Sequence, residues 1–119
     1  MQDYRDLKVW EKAHRFVLDV YNATKVFPKD ELYGLTSQLC RATASIPTNL
    51  AEGCGRGTVG ELTQFAQIAA GSASEVDYLL KLCCDLQYPD SGDFAALSNE
   101  LREIRKMLTA LIRKLRANH

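Results

Sequence analysis

Apolar residues recur at helical spacing along nearly the whole chain, in four runs separated by short polar breaks. The first run spans about Asp6 to Lys25. Val9, Ala13, Phe16, Val20 and Ala23 step by four and three, and Leu7, Trp10, Val17 and Tyr21 make a second stripe beside them. So broad an apolar face suits a helix that touches two neighbours. VFPKDE ends the run, because Pro28 fixes its own backbone and biases Phe27 away from the helical region.

The second run starts near Asp30 and reaches about Glu52, with Leu32, Leu35, Leu39, Ala42, Ile46 and Leu50 as its stripe. Pro47 falls inside it and cannot donate to the carbonyl of Thr43. An interior proline costs about 3 kcal/mol unless the helix kinks and the freed group finds a partner. Ser45, Thr48 and Asn49 stand nearby to help. Leu50 keeps the helical phase, so the pattern predicts a kink and not an end. GCGRG, from Gly53 to Gly57, is then read as the terminator.

The third run covers about Val59 to Leu86, opening on Thr58 and Glu61 at capping-box spacing. Leu62, Phe65, Ala69, Ser72, Val76, Leu79, Cys83 and Leu86 form its stripe. Ala69 to Ser74 are all small, so another backbone can approach closely. QYPDSGD makes the next turn. The fourth run goes from about Asp93 to Arg116 on a heptad seam of Phe94, Leu97, Leu101, Ile104, Leu108, Leu111 and Leu115, widened by Met107 and Ile112. No run alternates with the period of a strand. Short connections make antiparallel neighbours the simplest solution, and a 3.5-residue period favours left-handed packing. The expected fold is all-α: an up-down-up-down antiparallel four-helix bundle, with the second helix kinked at Pro47. The surplus apolar face of the first and fourth helices predicts an oligomer that buries it.

Length and charge narrow the picture. The 119 residues suit one domain spanning 1–119, and 46% hydrophobic with 25% charged residues is an ordinary globular balance. The 15 basic and 15 acidic side chains cancel. The zero is nevertheless a sum of unlike parts. Residues 1–57 carry 8 basic and 7 acidic groups, residues 58–101 carry 1 and 7, and residues 102–119 carry 6 and 1. The last group comprises Arg102, Arg105, Lys106, Arg113, Lys114 and Arg116. Two readings follow. The cations complement the C-terminal dipole of their helix and face acidic groups such as Asp77 and Asp85. Alternatively, they form a phosphate-binding strip whose affinity would fall steeply with salt. Zero net charge favours the first.

Candidate chemistry is sparse. MQDYRDLKVW has no apolar signal core, so no secretory signal is expected, and no stretch is apolar for long enough to span a membrane. Cys40, Cys54, Cys83 and Cys84 make no C-x-x-C pair. They are read as reduced, mostly buried residues of a cytoplasmic protein, with a disulfide or zinc site as the alternative. Glu11-x-x-His14 has the ligand spacing of di-iron bundles, but it lacks a second such motif, and the other histidine is His119. GCGRGTVG follows a helix, not a strand, and lacks the Lys-Ser/Thr ending of a phosphate loop. No Ser-His-Asp or Cys-His set is at hand. No enzyme, cofactor or metal is expected.

Four stretches carry a family resemblance. YRDLKVWEKAH (Tyr4–His14), FPKDELYGLTSQLCRA (Phe27–Ala42), SIPTNLAEGCGR (Ser45–Arg56) and FAQIAAGSASEVDYLL (Phe65–Leu80) resemble, in order, those of the bacterial four-helix bundle proteins related to 23S rRNA-intervening-sequence proteins. The resemblance covers most of the chain, and Cys40 and Cys54 depart from it. It implies a homopentamer and no catalytic residues. Some members are encoded within inserts of large-subunit rRNA genes, which implies a connection to RNA. A distant relative is the accessory protein of diversity-generating retroelements, which implies a scaffold for a protein partner. Arg41, Asn49, Glu52 and Arg56 lie in the third stretch or just before it. They are read as a polar network, within a subunit or at an interface, in preference to a ligand-facing strip. Arg56 is also a candidate RNA contact, with the six cations of the last helix.

Overall fold

The computed structural model describes residues 3–88 and 91–118, the side chains of 91–93 excepted. Pro89 and Asp90 of the QYPDSGD turn, and His119, lie outside the described residues. Four long helices account for most of the chain: α1 Lys8–Thr24, α2 Ser37–Arg56, α3 Val59–Asp85 and α4 Ser91–Ala117. Among the described residues there is no strand. Helix α1 packs on α2 and α4, and α3 packs on the same two, which gives a four-helix bundle about 45 Å long.

The core is the set of stripes read from the sequence. Phe16, Val20, Leu39, Ile46, Leu50, Val76, Leu79, Leu101, Ile104 and Leu108 are all sealed from solvent. On α3 the small residues matter most. Ala66, Ala69 and Ala73 have no exposed surface, whereas Phe65 and Ser72 are only half-buried and Leu86 is exposed. With so little side chain between them, α2 and α3 come close together.

Two boundaries differ from the reading of the sequence. Helix α2 does not begin at Asp30. A 3₁₀ turn, Lys29–Glu31, and a π-helical turn, Leu32–Thr36, precede it. Gly34 takes φ −109° and ψ −110°, outside the helical region. That residue resets the phase, so Leu35 is buried while Leu32 faces out of the core. At the other end, α2 runs on through Gly53 and Gly55 to Arg56, and only Gly57, at φ 93°, turns left-handed to stop it. The helix is continuous across Pro47. Local side chains serve the surrounding carbonyls: Ser45 Oγ donates to Ala42 O at 2.6 Å and Asn49 Nδ2 to Ser45 O at 2.7 Å.

Thr58 caps α3 as its spacing predicts, accepting from the Glu61 N–H at 3.1 Å. Its hydroxyl also donates to Glu61 Oε1 at 2.9 Å, so that carboxylate serves the cap itself. Helix α3 ends in a Schellman arrangement. Tyr88 N–H reaches Cys83 O and Gln87 N–H reaches Cys84 O, with Gln87 left-handed at φ 64°.

Candidate functional site

The cations of α4 divide along its length. Arg102, Arg105 and Lys106 border a cavity of about 410 Å³ between α3 and α4, completed by Asp77, Ser98 and Thr109. Arg113 and Arg116 border a second, of about 380 Å³, with Gln67, Ala70, Thr109 and Ile112. Thr109 borders both, so the two adjoin along the α3–α4 groove. Helical spacing explains it: offsets of three, four, eleven and fourteen from Arg102 keep these cations on one side, while Lys114 lies off the strip and borders neither cavity.

Acidic neighbours temper this charge unevenly. Arg105 Nη1 lies 3.4 Å from Asp77 Oδ2, and its Nη2 donates to Ser74 Oγ at 3.3 Å, which ties α4 to α3. Lys106 Nζ lies 3.6 Å from Glu103 Oε1. Arg102 donates to Asn99 Oδ1 at 3.2 Å. Among the described residues, no carboxylate comes within 4.0 Å of Arg102, Arg113, Lys114 or Arg116. The expected pairing with α3 therefore holds at Asp77 alone. Asp85 is taken by Lys81 on its own helix, at 3.2 Å.

The α2 fingerprint residues are only partly brought together. Arg56 Nη2 donates to Glu52 Oε2 at 2.8 Å, and its guanidinium lies over the Phe65 ring at 5.1 Å. The hydrogen bond to Glu52, and then its charge, push the Arg56 pKa further up. Asn49 turns to the backbone of Ser45. Arg41 joins neither residue. It stands at the opposite end of α2, beside a groove the sequence did not mark.

That groove lies between α1 and α2, encloses about 730 Å³, and is lined by Tyr21, Phe27, Leu32, Tyr33 and Cys40, with Lys25, Lys29 and Arg41 among its borders. It exists because the π-helical turn throws Leu32 and Tyr33 outward; Tyr33 is 93% exposed. The signal in the sequence was Tyr33-Gly34 inside an otherwise regular stripe, where glycine permits the phase break. Thr36 also borders this groove, and its Oγ1, shut off from solvent, has no partner among the described residues.

Titratable groups elsewhere are few. Glu100 of α4 meets Asp19 of α1. Burial, the hydrogen bond with Asp19 and the charge of Asp19 raise its carboxyl to about 7, and Lys12 opposes the shift. Burial pushes the Cys83 thiol up to about 11, which removes it as a nucleophile at neutral pH. All four cysteines are free; Cys84 alone is exposed. Glu11 pairs with Arg15, while His14 stacks on Trp10 with ring centroids 5.1 Å apart. Among the described residues, no three His, Cys, Asp or Glu side chains gather as metal ligands, and no helix is long and apolar enough to cross a membrane.

The family model described as 23S rRNA-intervening sequence protein matches residues 5–110. No curated protein matches the chain. A crystal structure of a protein of unknown function from the S23 ribosomal protein family of Bacteroides thetaiotaomicron VPI-5482 superposes with a TM-score of 0.80. It is 23% identical, and the match covers 88% of this chain and 95% of that one.

Proposed function

We propose that this chain, which belongs to the 23S rRNA-intervening sequence protein family, works in the cytoplasm as a non-enzymatic interaction module that assembles with copies of itself. Five copies is the number its resemblance implies. One observation carries the reading. After the core closes, large apolar side chains remain outside it on more than one surface: Val26, Leu32 and Tyr33 by the α1–α2 connection, and Ile68 and Tyr78 on α3. Exposed apolar groups on several sides of a small bundle favour association. The buried, raised thiol of Cys83 and the engagement of His14 with Trp10 leave little for catalysis. Native mass spectrometry at micromolar concentration tests the reading: an oligomer is expected, and a sharp monomer mass sinks it.

A second reading is RNA binding along the α3–α4 groove. It is supported by Arg102, Arg113 and Arg116, which face no carboxylate among the described residues and lie on one strip. A scaffold for a protein partner would use the apolar surfaces instead.

A further inference from the structure

We infer that the apolar groove between α1 and α2 seats the outer face of α3 from a second copy of this chain. The inference rests on the oligomeric reading and names the two surfaces that meet.

The groove supplies one half. Its walls present Tyr21, Phe27, Leu32 and Tyr33, and Leu32 is 52% exposed. Around this apolar floor stand Lys25, Lys29 and Arg41. None of the three has a carboxylate within 4.0 Å among the described residues. The site is thus apolar in the middle and cationic at its border, with Asp30 and Glu31 following Lys29 in the same turn.

The outer face of α3 supplies the other half. Ile68, Gly71, Glu75 and Tyr78 step by three, four and three, the spacing of a seam that meets another helix. Ala66, Ala69, Ala73, Val76 and Leu80 already fill the inner side, so Ile68, Gly71 and Glu75 are left to solvent, while Tyr78 also borders a cavity against α4 beside Phe94 and Arg102. Ile68 is 46% exposed and Tyr78 62%. A Cβ added at Gly71 would meet nothing within 4 Å, so no contact of its own subunit calls for glycine there. A missing side chain does allow a neighbour's backbone to come close. Glu75 has no cation within 4.0 Å among the described residues, whereas Asp77 and Asp85 on the same helix are paired with Arg105 and Lys81.

The halves match in kind. Each carries exposed apolar side chains, and an unpaired carboxylate on one, Glu75, answers unpaired cations on the other. The exposed side of α4 does not fit the groove, since its own cations would meet Lys25, Lys29 and Arg41. Because the two surfaces are different, the contact is heterologous: each copy gives one surface and receives the other, which builds a closed ring when the rotation closes.

Native mass spectrometry of the full chain at micromolar concentration tests this, with circular dichroism to check each variant's helices. Gly71→Leu and Glu75→Lys are each expected to weaken assembly at least tenfold while the monomer stays helical. Arg41→Glu should act likewise, and combining it with Glu75→Lys should restore the oligomer. Unchanged oligomer mass in both Gly71→Leu and Glu75→Lys overturns the inference and leaves the oligomeric reading standing. Loss in the single variants without rescue in the double variant overturns the pairing of these surfaces. A monomeric wild-type chain overturns the oligomeric reading, and this inference with it.

Discussion

Gly53 of α2 sits so close to Phe65 of α3 that a Cβ built on the glycine would lie 2.8 Å from the Phe65 Cβ. Leu62 crowds the same point, its Cδ1 3.1 Å away. With Ala66, Ala69 and Ala73 buried opposite, the α2–α3 seam is a close backbone contact made of minimal side chains. The same approach brings Phe65 under the Arg56 guanidinium, three residues further along α2.

Gly53→Ala should therefore destabilise the fold by up to about 2 kcal/mol, because overpacking of about 1–3 kcal/mol outweighs the gain of about 1 kcal/mol in helix propensity. Gly55 is the internal control. Nothing lies within 4 Å of its added Cβ and its backbone is helical, so Gly55→Ala should stabilise by about 0.5–1 kcal/mol. Urea unfolding of both variants decides the matter. Equal effects of one sign would mean that the close approach is not a constraint.

Gln87 holds a left-handed backbone, φ 64°, at the position after the α3 cap where glycine is usual. A residue with a Cβ is strained there by about 1–2 kcal/mol. Gln87→Gly should relieve that strain, offset by the greater freedom of glycine in the unfolded chain, for a net gain of about 0.5–1 kcal/mol. A thermal melt should show Tm rising by a few degrees. A fall would mean that the Gln87 side chain has a structural role of its own.

Glu100 predicts a pH dependence. Its folded pKa, about 7, lies above the ordinary carboxyl value of 4.5. The folded state therefore holds the proton more tightly than the unfolded one. The resulting stability is fully present below the ordinary value and is lost as pH rises through about 7. Glu100→Gln keeps a neutral side chain facing Asp19 at every pH. It should flatten the decline in Tm between pH 5 and 8. At pH 8 it should stabilise by about 1 kcal/mol, less than the full shift because the pair is partly solvated. A variant whose Tm tracks the wild type across that range would remove Glu100 as the titrating group.

Much of this fold is legible in the spacing of Leu, Ile, Val, Phe and Ala, because a bundle core is the same periodic stripe repeated four times. The Thr58 cap is equally local, and the sequence marks it. What escaped are features that need two elements at once. GCGRG reads as a stop, yet Gly53 is there for the neighbouring helix and only Gly57 turns the chain. Leu32 fits the α2 stripe on paper, but the phase break at Gly34 carries it outward and opens the groove beside Arg41. The Asp19–Glu100 meeting joins residues 81 positions apart, which no local pattern encodes. The basic strip was visible as spacing; which of its cations face a carboxylate depends on where α3 lies.

The division of that strip yields the last prediction. If structured RNA lies in the α3–α4 groove, each phosphate contact made by an arginine lowers the slope of log K against log salt by about 0.7–0.9. Arg102, Arg113 and Arg116 face no carboxylate among the described residues, so replacing all three by glutamine should weaken binding about tenfold or more and flatten the slope by about 2. Arg105→Gln should do less to binding, since Asp77 already neutralises that guanidinium, and more to stability, since the α3–α4 tie is lost. Lys114→Gln, off the strip, should leave the slope unchanged. Filter-binding titrations from 50 to 200 mM salt measure all of these. A flat salt response in the wild-type chain would exclude phosphate contacts, and with them RNA binding along the α3–α4 groove.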